Sequence, residues 1–233
     1  MRLFPASRSA FTLIELLVVV SIIGVLSALI MAAVSSGREQ ANRAACLSNL
    51  RNTYTLLGRF AADNDGALPV GYRLGKKQFN TTLYSGSVNE FVLLGRLISA
   101  GLVTEPRILY CPSERDSTQA YNTKNNPWTI VAGMNLQGGY ACNPLVDWGT
   151  AGEPADWPRL ANLDRLPLLA DGVGMPQRVD SRHRAGVNVI FTDGSTRWVP
   201  REKFDAVLST CTTLAPACNP AQDSIWTIFG QSP

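Results

Sequence analysis

The chain has 233 residues, 45% of them hydrophobic, and its 21 Lys and Arg against 18 Asp and Glu leave a formal net charge of +3. The charges are scattered and form no basic stripe, so nothing in the balance argues for nucleic acid. With roughly the first 34 residues set aside as leader and apolar segment, about 200 remain, ample for one soluble domain with a buried core.

From Phe11 to Val34 the apolar run is interrupted only by Thr12, Glu15, Ser21, Gly24 and Ser27. As a helix it would be roughly 36 Å long, enough to cross a hydrocarbon core of about 30 Å. A secretory signal peptide would share the basic residues ahead of it, Arg2 and Arg8, and the small residues near Ala33. Its apolar segment would be shorter and free of acid. A plain signal anchor would give Glu15 no role, yet a carboxylate at that depth is costly in hydrocarbon and normally marks function. Arg38 and Arg43 follow the run, so flanking charge sets its orientation only weakly.

The stretch Ser9-Ala10-Phe11-Thr12-Leu13-Ile14-Glu15, continuing into Leu16-Leu17-Val18-Val19-Val20, resembles the N-terminal processing and assembly segment of type IV pilins and type II secretion pseudopilins. The resemblance implies a leader over 1–10, cut by a prepilin peptidase between Ala10 and Phe11, N-methylation of Phe11, a transmembrane helix over 11–34 and a cytoplasmic N-terminus. The new α-amino group of Phe11 would lie four residues from Glu15 on one helical face. A neighbouring subunit's Phe11 amine would then be drawn to Glu15, which is expected to set axial register in a filament. Ala10 stands where Gly is usual, the stem proline common in such families is missing, and Gly24 matches a usual Gly. Local unwinding on assembly would fall at Gly24 or at Ser35-Ser36-Gly37, where helix propensity is lowest.

Farther along, Leu47, Leu50, Tyr54, Leu57 and Ala61 recur at helical spacing, which predicts a stem helix continuing over 38–62 with this stripe facing a sheet. Its full length from Phe11 would be on the order of 75 to 80 Å. Asp63-Asn64-Asp65-Gly66 is expected to stop it. The same four residues look like a piece of a calcium loop, but the further acid and closing Glu of an EF-hand are absent. Ser87-Val88-Asn89-Glu90 reads as a capping box opening a helix that turns Phe91, Leu94, Leu97 and Ile98 inward and ends at Ala100-Gly101. Arg107 to Tyr110 looks strand-like. From Cys111 to Pro158, Pro, Gly, Asn and Trp alternate with short apolar pieces such as Trp128-Thr129-Ile130-Val131 and Tyr140-Ala141, which reads as strands joined by long loops. Trp128, Trp148 and Trp157 are expected to pin those loops to a core rather than to form a glycan surface.

Val187 to Thr192, the turn Asp193-Gly194, and Ser195 to Val199 form the clearest hairpin, with Asp-Gly suited to a tight two-residue turn. His183 precedes Asp193-Gly194 by nine intervening residues. This resembles the His, nine residues, Asp-Gly signature of a large family of pilin-like bacterial proteins. Cys46-Leu47-Ser48-Asn49-Leu50, Asp65-Gly66-Ala67-Leu68-Pro69 and Cys111-Pro112 are further echoes of that family. A His and a carboxylate begin an acid-base site, but no third member, GxSxG elbow, HExxH or phosphate loop is present. His183 is therefore expected to hydrogen-bond at the hairpin base, with Asp193 as turn former. Asp171-Gly172 looks like another strand-to-turn signal whose function is not legible.

Five cysteines in a domain placed outside the cytoplasm suggest disulfides with one thiol left over. Cys211 and Cys218, closing a short Pro-containing loop, are the first candidate pair. A Cys46 to Cys111 staple between helix and sheet is the second, and Cys142 is the odd one. With no CxxC and a single His, a zinc site of the usual spacing is not expected.

The fold expected is α+β and pilin-like: a long N-terminal transmembrane and stem helix packed on an antiparallel sheet with loop-rich insertions. The resemblance implies a structural filament subunit without enzymatic activity, cofactor or metal, in a bacterial inner membrane with residues 35–233 extracytoplasmic. Its partners would be the prepilin peptidase, other pilin or pseudopilin subunits, the inner-membrane assembly platform and membrane lipid. The rival is a membrane-anchored extracytoplasmic binding or enzymatic domain that uses a pilin-like anchor.

Overall fold

In the computed structural model, residues 12–149 and 157–231 are described. Ala10 and Phe11 lie outside them. The chain forms two compact units divided between Ala41 and Asn42. Helix α1, Leu13–Asp63, is 51 residues long and begins in the first unit and ends in the second. It is continuous through Gly24 and through Ser35-Ser36-Gly37, so neither weak point breaks the helix in the single chain. Among the described residues it is the one helix long and apolar enough to cross a membrane.

Within the second unit, the buried stripe of α1 runs Cys46, Leu50, Thr53, Leu57, Phe60 and Ala61. The expected stripe is thus rotated by about one residue, with Cys46 rather than Leu47 at its head. The helix ends where the sequence predicts. Gly66 N–H returns to the Ala61 carbonyl at 2.7 Å, while Asp65 and Gly66 adopt φ of 52° and 81°, the left-handed region that closes helices.

Two antiparallel sheets follow. The smaller has strands β1 (Thr82–Ser85), β2 (Glu90–Phe91) and β3 (Leu136–Gln137), in order β2-β1-β3. The larger has β4 (Tyr140–Cys142), β5 (Pro167–Asp171), β6 (Gly186–Phe191) and β7 (Thr196–Pro200), ordered β4-β5-β6-β7. Short helices α2 (Arg96–Ser99), α3 (Pro176–Asp180) and α4 (Asp205–Leu208) and the C-terminal α5 (Asn219–Gln231) complete the unit. The architecture is α+β, consistent with the pilin-like fold.

Every residue of β6 is buried, because the larger sheet is covered on both faces. Ile190 and Leu169 share a core with Leu50 and Leu57 of α1. Val187, Val189 and Phe191 instead face Phe204, Leu208, Ile225, Trp226 and Phe229 of the C-terminal helical segment. Alternation along the strand splits the two cores. Helix α5 has no counterpart in the sequence reading, although Asn219-Pro220 at its start and Ile225, Trp226 and Phe229 on one face are the signals that mark it.

Three local expectations are corrected. Ser87 and Glu90 do not cap a helix: Glu90 pairs with Ser85 across the β1–β2 hairpin, and Asn89 turns the chain with φ of 55°. The helical turns come later, at 93–99, and end at Gly101 as expected. Pro106–Leu109 is a 3-10 turn rather than a strand, started by Pro106 and by Glu105, whose carboxylate accepts from Arg107 N–H at 3.1 Å. Trp128 to Val131 is irregular, with Ile130 and Val131 exposed. The tryptophans do pin loops. Trp157 stacks on Phe60 of α1 at 5.8 Å and meets the buried Trp148, while Trp128 joins Tyr110 and Tyr121.

Candidate functional site

At the N-terminal end of α1, Thr12 and Glu15 form a reciprocal cap. Thr12 donates to Glu15 Oε2 from its backbone N–H and from its hydroxyl, both at 2.8 Å, and Glu15 N–H returns to Thr12 Oγ1 at 3.3 Å. This is the Thr-x-x-Glu pattern that satisfies free amides at a helix start. The carboxylate therefore has local donors within its own chain. Phe11, the partner expected for it, is outside the described residues. From Leu13 to Val34 the large apolar side chains are exposed, 85% for Leu13 and 72% for Met31.

The second constellation is buried. Cys46 on α1, Cys111 after the Pro106–Leu109 turn, Asp171 at the end of β5 and His183 between α3 and β6 bring one ligand atom each to within 4.8 Å of all the others. Cys46 Sγ donates to Asp171 Oδ1 at 2.8 Å, Cys111 Sγ lies 3.3 Å from His183 Nε2, and His183 Nε2 lies 3.9 Å from Asp171 Oδ2. Asp171 Oδ2 also accepts from the Asn188 N–H at 2.6 Å, and the Tyr140 hydroxyl is 3.5 Å from Cys46 Sγ. The His183 ring meets the edge of Trp198, over which Arg43 lies at 3.3 Å. The hydrogen bond from Cys46, and then His183, lower the Cys111 thiol to about 7 against the opposing effect of burial. Burial raises Cys46 well above the ordinary thiol range.

Close backbone approach makes this cluster. A Cβ on Gly139 would sit 2.4 Å from Cys111 N, and one on Gly172 would sit 2.6 Å from an Arg182 guanidinium nitrogen. Arg182 in turn reaches Glu114 at 2.6 Å, both side chains 1% exposed, and donates to the carbonyls of Gly172 and Arg178. This buried ion pair ties the loop carrying His183 to the segment carrying Cys111.

His183 and Asp193 are not brought together. Asp193 stands on the exposed hairpin turn, where hydrogen bonding from Ser195, and then Arg165 with its Nε at 3.0 Å, hold its carboxyl below the usual range. The turn is a three-residue loop, Thr192-Asp193-Gly194, rather than the expected two-residue one. Gly194 N–H bonds to the Phe191 carbonyl, and Gly194 alone takes a positive φ, 78°. Tyr54 of α1 donates to the Thr192 carbonyl at 2.7 Å. The nine-residue spacing thus spans β6, with His183 at the Cys46 level of α1 and the Asp-Gly turn at the Tyr54 level. The carboxylate beside His183 is Asp171, which the sequence marks only as a turn signal.

All five cysteines are free thiols here, so neither expected bridge is formed. Cys46 and Cys111 are neighbours within the cluster. Cys218 Sγ donates to the Thr213 carbonyl, Gln222 donates to Cys211 Sγ, and Cys211 Sγ lies 4.0 Å from the Cys218 carbonyl. Cys142 is wholly enclosed, and burial pushes its thiol up to about 12. The absence of a local zinc motif did not exclude the four-donor group, because its members are far apart in sequence.

The family model for the prokaryotic N-terminal methylation motif matches residues 5–31. No curated protein and no solved structure matches the chain. The motif, with the long helix that begins inside it at Leu13, supports a type IV pilin-like protein anchored by a single membrane pass. It implies processing by a prepilin peptidase and assembly with other pilin subunits.

Proposed function

We propose that this protein is a structural subunit, pilin or pseudopilin, of a type IV pilus-like or type II secretion filament. The observation that carries the reading is the methylation motif at 5–31, whose apolar part from Leu13 onward is exposed on a long helix. Cleavage between Ala10 and Phe11 releases an α-amino group next to Glu15. In hydrocarbon an ionised carboxylate is stabilised by donors and by opposite charge. Thr12 supplies the donors within the chain, and the Phe11 amine of the next subunit supplies the charge. One such pairing per subunit fixes axial register, and the apolar surface of α1 is covered first by lipid and then by neighbouring helices. The inner-membrane assembly platform supplies the energy for that transfer. The domain over 35–233 is extracytoplasmic and decorates the filament.

Mass spectrometry of the N-terminal peptide from the membrane fraction tests this. The expected result is a chain beginning at methylated Phe11. A chain that keeps residues 1–10, or one that begins near Val34 as a cleaved secretory protein would, overturns the reading.

A further inference from the structure

We propose that Cys46, Cys111, Asp171 and His183 form a closed tetrahedral site for a zinc-like divalent ion that staples the stem helix to the sheet. Four potential ligand atoms of three chemical kinds, all buried, converge within 4.8 Å. In a tetrahedral zinc site, bonds of about 2.3 Å to sulfur and about 2.0–2.2 Å to nitrogen or oxygen place the ligands roughly 3.3–3.8 Å from one another. The separations of 3.3 Å from Cys111 to His183 and 3.9 Å from His183 to Asp171 are of that size. The 2.8 Å from Cys46 to Asp171 is a thiol–carboxylate hydrogen bond, which must open by roughly 0.5–1 Å once the thiol proton is lost and both groups bind the ion.

The donor set selects the ion. Two thiolates, an imidazole and one carboxylate suit a borderline-soft cation of tetrahedral preference and not the oxygen-seeking calcium or magnesium. Binding releases the two thiol protons, and the site then carries a net charge of minus one. The Asn188 N–H on Asp171 is positioned to offset part of it, and the Tyr140 hydroxyl, which now donates to the Cys46 and Tyr110 carbonyls, adds to this only by turning its proton to the Cys46 thiolate. Each ligand comes from a different segment, namely α1, the residues after the Pro106–Leu109 turn, the end of β5 and the loop between α3 and β6, and all four positions are filled by protein. That is the arrangement of a structural site rather than a catalytic one. The ion would perform the cross-linking expected of a Cys46–Cys111 disulfide, and it would join four segments instead of two. Nothing in this site depends on filament assembly.

The test uses the detergent-solubilised full chain, stripped of metal under reducing conditions and titrated with cobalt(II). The expected result is one equivalent bound, with the intense visible bands of tetrahedral cobalt and a thiolate-to-cobalt charge-transfer band, both abolished by zinc. Cys111→Ser and His183→Ala should weaken binding by at least about 100-fold, whereas Cys218→Ser should leave it unchanged. Zinc in thousandfold excess over Kd should raise Tm by about 10 °C. Should the ligand variants fail to fold, the wild-type cobalt spectrum still decides. An octahedral spectrum without thiolate bands, or no stoichiometric binding, overturns the proposal. So does a Cys46–Cys111 disulfide in peptide maps of protein isolated without reductant.

Discussion

Two regions of this molecule invert the usual rule of apolar inside and polar outside, and they do so in opposite ways. Along Leu13 to Val34 an almost wholly apolar helix surface is exposed. Between α1 and the larger sheet, two thiols, a carboxylate and an imidazole are enclosed with almost no access to solvent. Each inversion carries information because each is expensive in water-solvated protein: apolar surface costs in proportion to area, and buried polar groups cost unless partnered. The first, with the methylation motif, suits a membrane-anchoring helix. The second selects among cations by the chemistry of its ligands. Glu15 is the polar exception in the apolar region, and its cap with Thr12 uses the same rule on a smaller scale.

The sharpest way to break the comparison is Glu15→Ala. Incorporation into filaments, followed by sedimentation of sheared surface fractions, is expected to be lost, while the Tm of the domain stays unchanged. If Tm falls as well, the two regions are not separable in the way described. Next in size is Arg182→Met, which leaves Glu114 buried and uncompensated. A loss of about 3–5 kcal/mol in denaturant unfolding is expected, with membrane insertion intact. Gly139→Ala pushes a methyl group against Cys111 N, and an overpacking cost of about 1–3 kcal/mol is expected. The same variant should weaken cobalt binding, because Cys111 must move. Smallest is Asp193→Ala. Its ion pair with Arg165 is about half exposed on both sides, and such pairs contribute little. Thermal unfolding should not shift measurably, whereas a marked fall would give the Asp-Gly turn a larger role than docking on Tyr54.

The legibility of the fold tracked how local each signal was. Of the Ser/Thr-x-x-Glu patterns Thr12–Glu15 and Ser87–Glu90, only the first caps a helix. Thr12 and Glu15 stand before a long uninterrupted helical run, so the pattern and its context agree. Ser87 and Glu90 precede an equally plausible apolar series, but pairing of Glu90 with Ser85 and of Phe91 with Tyr84 turns that segment into a strand. The same override explains Pro106–Leu109, where a proline and an acidic cap outweigh the β-like look of the residues. Of the site, Cys46 and Cys111 were expected to meet, though as a disulfide, and the approach of His183 and Asp171 to them was not legible. Asp171 looked like punctuation, and Asp193 was expected only to form the turn.

What the sequence determined by itself was the membrane-length apolar run, the carboxylate set in it, the end of the stem at Asp63 and the hairpin around Gly194. All are fixed by neighbours within a few residues, through helix period, capping and turn geometry. What only the tertiary structure decided was the convergence of Cys46, Cys111, Asp171 and His183. No local rule relates those positions. Their meeting depends on the strand order β4-β5-β6-β7, on Gly139 admitting the backbone at Cys111, and on the Arg182–Glu114 pair that draws two loops together.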